Sequence, residues 1–356
     1  MPYYPDLKNE ILESKVYQNP QKKLNEIAGR LLALRKSLRE NVPPKTREDK
    51  LLLATFNIRE FDSNSKKMGP RTTESFYYLA EIISAFDIVA LQEVKQDLKP
   101  FKKLMRILGS DYDSFLTDVT EGTGGNGERM AFVYDRKKLQ FRNIAGEIVL
   151  PSKDKSPMPQ FARTPYLLSF QAGWFKFNLC TVHIYYGSDT GAEFEQRVQE
   201  IENLSMFFKK RAEKEEENFI LLGDFNILNF QDRTMEALLK GGFKIPEALQ
   251  KRTGSNLQKD KYYDQIVYKE GKNKVKFSGK AGVFDLFETV YKDDQKEQYY
   301  EDFVALMTEN GKPTDMPAFT KAFKEWKTYQ MSDHLPLWVE FDINYSDDYL
   351  AKLIVE

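Results

Sequence analysis

From Leu51 onward the chain alternates between short apolar runs and longer amphipathic stretches. Eight of the apolar runs are rich in β-branched and aromatic residues, a composition that is typical of buried strands. They are LLLATFNI, DIVALQEV, RMAFVYD, PYLLSFQAG, FNLCTVHIYY, NFILLGDFNI, YYDQIVY and LPLWVEFDI. Helix-like stretches lie between several of them, at 74–85, 97–108 and 192–214. Strands mixed with long helices predict an α/β (α+β) sandwich whose sheets are covered by helices.

The first fifty residues have a different pattern. After Asn19-Pro20, a dipeptide that favours a helix start, apolar residues recur at intervals of three and four. They are Leu24, Ile27, Leu31, Leu34 and Leu38. We predict an N-terminal helical extension and linker over 1–50 and one larger domain over 51–356. Helix 20–40 either packs on the outside of that domain or serves self-association or partner docking.

Residues 291–331 interrupt the apolar pattern with a charged stretch that contains aromatic residues. The stretch holds 6 lysines and 8 acidic residues, a mixture that is typical of a solvated face. We therefore predict a mostly helical insertion on the surface of the larger domain.

The composition narrows the class of protein. A hydrophobic share of 41% over 356 residues excludes bulk disorder. A single cysteine, Cys180, excludes an intrachain disulfide framework. No apolar run approaches the roughly 18 residues of a membrane span, and the amino terminus lacks the order of a secretory signal. We expect a soluble, cytoplasmic protein without a membrane span.

The charge distribution says less about the partner. Residues 1–50 carry 11 basic and 7 acidic side chains, a net charge of +4, which leaves −5 for residues 51–356 because the whole chain carries −1. A dedicated duplex-binding domain is usually basic. The overall charge therefore argues mildly against nucleic acid, unless local loops and a bound cation contact it.

Polar residues stand at the ends of the predicted strands. They are Asn57, Arg59, Gln92, Glu93, Glu128, His183, Asp224, Asn226, Asp264, Asp333 and His334. Taken singly, each of them is more often a turn residue, a cap or a structural histidine. Together they include both histidines of the chain, and a rigid sheet tends to bring such strand-end residues to one place. We predict that they converge in a single site.

These residue types favour one chemistry. Carboxylate and amide oxygens, without cysteine or paired histidine ligands, favour Mg²⁺, Mn²⁺ or Ca²⁺ over zinc. Histidine suits proton transfer near neutral pH, and a carboxylate beside it raises its pKa and fixes its tautomer. A cation, two acid–imidazole units and amide donors together predict phosphoester hydrolysis.

The order of the motifs resembles a known family. The motifs are Asn57-Ile-Arg59, Leu91-Gln-Glu-Val94, His183, Gly223-Asp-Phe-Asn226, Tyr263-Asp-Gln-Ile266 and Ser332-Asp-His-Leu-Pro336. They follow the order of the endonuclease/exonuclease/phosphatase superfamily. Glu128-Arg129 and Phe161-Ala-Arg163-Thr-Pro165 look closest to its deoxyribonuclease I-like branch. The resemblance covers 51–345 apart from the insertion, and it implies a four-layered sandwich of two packed mixed sheets in a catalytic domain.

The resemblance also implies a metal-binding set and a water-positioning set. Glu93 would be the main metal ligand, with Asn57 and Asp333 nearby. Asp224 and Asn226 would position the attacking water, the scissile phosphate or a second cation. The implied cofactor is Mg²⁺, with Mn²⁺ or Ca²⁺ as alternatives.

Two further roles follow from the same resemblance. His334 with Asp264 resembles the family's base unit, and His183 with Glu128 resembles its acid unit. The guanidinium groups of Arg59 and Arg163 resemble phosphate clamps, for which their fork shape is suited. A lysine, Lys95, stands where the family has an arginine after its Gln-Glu-Val motif, so it keeps the charge without the fork.

One departure bears on the substrate. Deoxyribonuclease I carries an aromatic residue two positions before the motif glutamate, where this chain has Asn126 within a glycine-rich loop. Such a loop cannot stack on sugars, so binding to the minor groove of duplex DNA is not expected. Lys66, Lys67 and Arg71 follow the first motif and either contact a phosphate backbone or lie in a solvated loop.

The sequence therefore predicts a divalent-metal-dependent phosphodiester hydrolase, a nuclease acting on DNA or RNA. The alternative is a phosphoesterase for a small substrate such as an inositol phosphate, a phospholipid head group or a nucleotide. A third hypothesis is a binding module that kept the fold without the activity. Because superfolds host many activities, the sequence leaves the substrate open.

Overall fold

The computed structural model describes residues 2–64, 68–121, 124–151, 160–272 and 275–355. The strands within these ranges are β1 (Lys50–Phe61), β2 (Ile88–Lys95), β3 (Tyr112–Leu116), β4 (Glu128–Asp135), β5 (Gln140–Glu147), β6 (Tyr166–Ala172), β7 (Phe175–His183), β8 (Phe219–Asp224), β9 (Asp264–Lys269), β10 (Phe277–Val283) and β11 (Leu337–Asp342). The helices are α1 (Pro5–Leu12), α2 (Pro20–Asn41), α3 (Thr73–Ser84), α4 (Lys99–Leu108), α5 (Gly191–Glu215), α6 (Arg233–Leu239), α7 (Tyr300–Glu309), α8 (Met316–Gln330) and α9 (Ser346–Val355).

The strands form two mixed sheets. One has the order β10-β11-β1-β2-β4-β3 and the other has the order β5-β6-β7-β8-β9. Each contains one parallel pair, β1 with β2 and β7 with β8, among antiparallel neighbours. The carboxyl ends of parallel strands meet at one edge of a sheet. The residues that close β1, β2, β7 and β8 are therefore brought together in pairs.

The two sheets pack face to face and helices cover their outer faces. Leu53, Phe132, Phe170 and Leu222 belong to the apolar core between the sheets. A second core joins the outer face of the β1 sheet to helices α1–α4, α7 and α8, and a third joins the other sheet to α5 and α6. This confirms the predicted four-layered sandwich. Within the described ranges, no helix combines the length and the apolar character that a bilayer span needs.

All eight apolar runs contain a strand, but three strands were not predicted. These are β3, β5 and β10, and each lies at an edge of its sheet. β5 is mostly exposed and β10 is exposed or half-buried. An edge strand buries less of its surface than a central strand does, so its sequence carries a weaker apolar signal.

The N-terminal helices belong to the body of the protein. The stripe residues Ile27, Leu31, Leu34 and Leu38 are buried in the same core as α3. The chain itself therefore covers the apolar face that might have served self-association or partner docking, and that expectation is wrong for this face. Leu32, on the opposite side of the helix, is 65% exposed.

Residues 291–331 are largely helical, as the sequence predicted, but they do not simply lie on the surface. Six aromatic side chains of this segment are buried. They are Tyr291, Tyr299, Phe303, Phe319, Phe323 and Trp326. They join the core that also contains α2 and α3, because their apolar area is removed from water there.

Candidate active site

The first part of the site is the end of β1 beside the end of β2. The side-chain amide of Asn57 donates hydrogen bonds to Glu93 Oε1 at 2.8 Å and to Asp224 Oδ2 at 3.0 Å. One neutral donor thus joins two carboxylates that belong to different sheets. Like charges held this close repel each other, and a cation relieves the repulsion.

The backbone is strained where these side chains are held. Arg59, Glu60 and Glu93 have φ values of +36°, +45° and +63°, a region that costs non-glycine residues of order 1 kcal/mol or more. The pairing of β1 with β2 shifts register between Asn57 and Phe61. The shift lets the backbone N–H of Glu60 donate to Glu93 Oε2 at 2.8 Å. The strain therefore fixes the orientation of the Glu93 carboxylate.

Asp224, at the end of β8, is the centre of the site. Besides Asn57, the Nε2 atoms of His183 and His334 lie 3.5 Å and 3.7 Å from the same oxygen, Asp224 Oδ2. The backbone N–H of Asn226 donates to the other oxygen at 2.9 Å. Burial raises the pKa of this carboxyl, but the two imidazoles and these hydrogen bonds lower it more, so the pKa stays below its ordinary value.

The His183 ring is held by Glu128. His183 Nδ1 lies 2.9 Å from Glu128 Oε2, and Arg163 Nε lies 2.7 Å from the same oxygen. Lys95 Nζ donates to Glu128 Oε1 at 3.0 Å. Burial raises the pKa of Glu128, but His183, Arg163 and Lys95 outweigh it and hold the pKa well below its usual range. Glu128 is therefore a carboxylate that orients His183 with its Nε2 toward Asp224.

The His334 ring has a matching partner in Asp264. His334 Nδ1 lies 2.8 Å from Asp264 Oδ2, and Asp264 is fully buried. Burial raises the pKa of Asp264, and the nearby Asp224 adds to the rise. Burial lowers the pKa of His334, but Asp264 and Asp224 raise it well above its ordinary value. The pair therefore favours a charged imidazole facing Asp224.

The remaining predicted residues lie around this centre. The side-chain amide of Asn226 donates to the carbonyl of Ile184 at 2.8 Å, which joins the ends of β7 and β8. Arg59 stacks its guanidinium 4.0 Å from the ring centre of Tyr329 and lies 3.6 Å from Asp333 Oδ2. The Asp333 side chain is 43% exposed. Arg59 and Asp333 thus form a pair at the more exposed rim.

The structure therefore brings together most of the predicted set. Direct contacts link seven side chains into one network: Asn57, Glu93, Glu128, His183, Asp224, Asp264 and His334. Lys95 and Arg163 join the network through Glu128, where both guanidinium and ammonium are largely buried. Of the basic residues after the first motif, Lys66 and Lys67 lie outside the described residues.

Two positioning residues were not identified from the sequence. Ser332 donates its hydroxyl to the carbonyl of Asn57 at 2.6 Å and accepts the N–H of His334 at 3.0 Å. Glu60 supplies the N–H that holds Glu93. A signal for Ser332 was present, since it stands two positions before the motif histidine, but none marked Glu60.

The donor set suits a hard cation of low ligand number. Glu93 and Asp224 converge on one amide nitrogen, and a cation at Glu93 and Asn57 would offset their charge. No group of three or more His, Cys, Asp or Glu side chains among the described residues is spaced to bind a metal. Mg²⁺ needs only one or two carboxylates and keeps its waters. The residues present therefore fit Mg²⁺ better than an ion that needs an all-protein cage.

Comparisons with known proteins agree with this geometry. The profile of the Endonuclease/Exonuclease/phosphatase family matches residues 54–271, whereas no curated protein matches the chain in sequence. Among solved structures, a mannosyl-6-phosphatase of Bacteroides thetaiotaomicron is 16% identical, with a TM-score of 0.52 over 82% of this chain and 99% of that one. The catalytic domain of human Nocturnin, with a bound sulfate anion, is 15% identical, with a TM-score of 0.50 over 82% and 94%.

A third similar structure is D. rerio TDP2 in complex with a single-strand DNA product. It is 14% identical, with a TM-score of 0.50 over 82% of this chain and 98% of that one. Identities this low show a shared fold, while the profile covers more than half of the chain. The chain belongs to the Endonuclease/Exonuclease/phosphatase family, whose members are hydrolases of phosphoesters.

Proposed function

We propose that this protein is a Mg²⁺-dependent phosphodiester hydrolase whose substrate is a nucleic acid. One observation carries the proposal: the Nε2 atoms of His183 and His334 approach the same oxygen of Asp224 from two sides. Each ring is backed by its own carboxylate on Nδ1. Hydrolysis of a phosphodiester needs one group that takes a proton from water and another that gives a proton to the leaving oxygen.

The two units are assigned different proton transfers. His334, backed by Asp264, takes the proton from the attacking water at its Nε2 atom. His183, backed by Glu128, gives a proton from Nε2 to the leaving oxygen. Asp224 lies between the two rings and orients the water, as a buried carboxylate can. The amide of Asn57 keeps Asp224 and Glu93 in place throughout.

The cation belongs beside Glu93 and Asn57. When bound there, it supplies positive charge that stabilises the phosphate oxygens as negative charge develops on them. The protein's own part is to keep Glu93 in one orientation through the N–H of Glu60. We therefore expect a chelator to abolish turnover and Mg²⁺ or Mn²⁺ to restore it.

The choice of nucleic acid is supported by the similarity to a protein with a single-strand DNA product. The competing substrate is a small phosphoester. It is supported by the similarity to a mannosyl-6-phosphatase and by the net charge of −5 over residues 51–356. A panel decides between them: plasmid, single-stranded DNA, RNA, a nitrophenyl phosphodiester, inositol phosphates and a sugar phosphate. Turnover of a small phosphoester without cleavage of any polynucleotide would decide against a nuclease.

The proton-transfer roles have a sharper test in the leaving group. We expect His183→Ala and His334→Ala each to lower kcat on a polynucleotide by at least about 100-fold, since general acid or base catalysis contributes of that order. A nitrophenolate leaving group needs no proton. His183→Ala should therefore recover most of its activity on the nitrophenyl phosphodiester, whereas His334→Ala should not.

Circular dichroism and melting temperature provide the control for folding of both variants. Recovery by His334→Ala instead would exchange the two roles. Full activity of both variants on the polynucleotide would remove the mechanism.

A further inference from the structure

We infer that the cavity between residues 255–258 and helix α8 binds phosphate groups of the substrate that flank the scissile one. The inference rests on the proposed function and extends it, because it assigns a substrate with several phosphates. The cavity has a volume of about 420 Å³. Its lining residues are Leu257, Gln258, Asp293, Lys296, Thr320, Phe323, Lys324 and Lys327.

The lining of this cavity is basic. It contains three lysines and one acid, in a domain whose overall charge is negative. Lys296 and Lys324 make no hydrogen bond or ion pair with any part of the chain that the structure describes. Lys327 is paired with Asp293 at 2.8 Å, but Asp293 itself is 79% exposed. Two cations are thus left for an anion from outside, and a third is held at the cavity wall.

The buried part of Lys327 shows that this wall is built rather than merely solvated. Its side chain is only 6% exposed, and its ammonium lies 5.0 Å and 5.6 Å from the ring centres of Phe287 and Phe323. A lysine on an ordinary solvated face extends into water. Here the aromatic rings and Asp293 keep the ammonium at the edge of the cavity.

The cavity adjoins the candidate active site through two connections. On one side, the backbone N–H of Leu257 donates to the carbonyl of Asp333 at 2.9 Å, and Asn256 pairs with His334 as an isolated bridge. On the other side, the hydroxyl of Thr328 contacts the guanidinium of Arg59. Lys324 stands four residues before Thr328, about 6 Å along an α-helix.

This placement defines the ligand class. A substrate with a single phosphate would be held at Asp224 and the two histidines, and would leave the lysines of the cavity unused. A polynucleotide carries further phosphates on either side of the scissile one. Lysine contacts to such phosphates are independent of sequence and depend on salt. The residues 291–331 thus acquire a role, since they supply all three lysines.

The test compares two substrates in the full-length enzyme with Mg²⁺. Lys324→Glu and Lys296→Glu are measured on a single-stranded oligonucleotide and on a nitrophenyl phosphodiester. We expect each change to raise KM for the oligonucleotide on the order of 5-fold and to lower the slope of log KM against log salt by about 1. kcat on the oligonucleotide and all constants on the small phosphodiester should stay the same.

The matched control is Lys210→Glu, which makes the same charge change at an exposed position on α5, over the other sheet. It should leave KM and the salt slope as in the wild type. An unchanged KM in both cavity variants would overturn the inference, and so would an equal loss on the small phosphodiester. If the wild type cleaves no polynucleotide at all, the proposed function itself fails, which is a different result.

Discussion

At the scale of single residues, Arg71 stands out among the side chains behind the candidate site. Its guanidinium donates to the carbonyls of Arg59 at 2.6 Å, Glu60 at 3.2 Å and Met331 at 3.4 Å, and also to that of Ile58. The residue is only 5% exposed, and burial lowers its pKa to about 9. Neither a contact with a phosphate backbone nor a place in a solvated loop describes it, so both interpretations from sequence are wrong for this residue.

Arg71 joins the two backbone segments that carry the site. The first is the strained end of β1, and the second immediately precedes Ser332-Asp333-His334. We expect Arg71→Lys to lower kcat by about 10- to 100-fold with little change in KM, because one ammonium cannot replace the guanidinium fork, and small misplacements of catalytic groups are costly. Steady-state kinetics on the preferred substrate measures this.

A purely structural role for Arg71 would give a different result. It would lower the melting temperature of Arg71→Lys and leave kcat of the folded fraction unchanged. Arg71→Gln gives a second reading, because it removes the charge altogether and should lower kcat at least as far. A kcat equal to that of the wild type in both variants contradicts the positioning role.

How far a residue's place could be predicted depended on its neighbours in sequence. Asn57, Glu93 and Asp224 follow apolar runs, so their position at strand ends was visible in the sequence. The partners of the histidines came from the resemblance to a family, since Glu128 and Asp264 are distant in sequence from His183 and His334. Asp333 was expected beside Glu93 and contacts Arg59 instead.

At the scale of elements, buried ion pairs fix helix α2 to its neighbours. Lys23 Nζ lies 2.7 Å from Glu74 Oε1 on α3 and 2.5 Å from Asp302 Oδ2 on α7. Arg30 lies 2.8 Å from the other oxygen of Glu74. All four side chains are nearly inaccessible. The network therefore joins the N-terminal extension, the central domain and the insertion.

Removal of one member should leave buried charge without a partner. We expect Glu74→Gln to lower the free energy of unfolding by about 3 kcal/mol, the order found when one partner of a buried ion pair is removed. Urea denaturation measures it. The matched control is Glu26→Gln on α2, whose pair with Lys22 is 3.9 Å long and exposed on the lysine side. That change should cost less than about 0.5 kcal/mol, and equal losses in the two variants would contradict the role of the network.

The sequence pattern predicted which elements form more reliably than where they pack. The spacing of Leu24, Ile27, Leu31, Leu34 and Leu38 predicted a helix with one apolar face, and α2 confirms the helix. The same spacing suits a partner helix or the protein's own core, because both offer an apolar surface. The strands that were missed are edge strands, where burial is too small to leave a clear pattern.

At the scale of the whole molecule, Glu81 makes stability depend on pH. This carboxyl on α3 is 6% exposed, and burial raises its pKa from 4.5 to about 7. A raised pKa means that the folded protein binds the proton more tightly than the unfolded chain does. The stabilising contribution is complete below about pH 4.5 and is lost as the pH rises through about 7.

Glu81→Gln should remove this dependence. We expect the variant to be about as stable as the wild type near pH 5 and more stable by about 2 kcal/mol near pH 8, since each unit of pKa shift corresponds to about 1.4 kcal/mol. Urea denaturation at the two pH values measures the difference. Glu40→Gln, at an exposed position on α2, is the control and should change neither value. A difference between Glu81→Gln and the wild type that is the same at both pH values would contradict the assignment.

The sequence by itself determined the central strands, the main helices, the layered architecture and the identity of the polar residues at the strand ends. These follow from local patterns, because burial on one or both faces of an element requires apolar residues at a regular spacing. The tertiary structure decided which side chains meet: both histidines at one oxygen of Asp224, Arg71 on the backbone of two segments, and the lysines of α8 beside the site. Such contacts join residues far apart in the chain, and they depend on register, strained turns and helix packing, which no local spacing encodes.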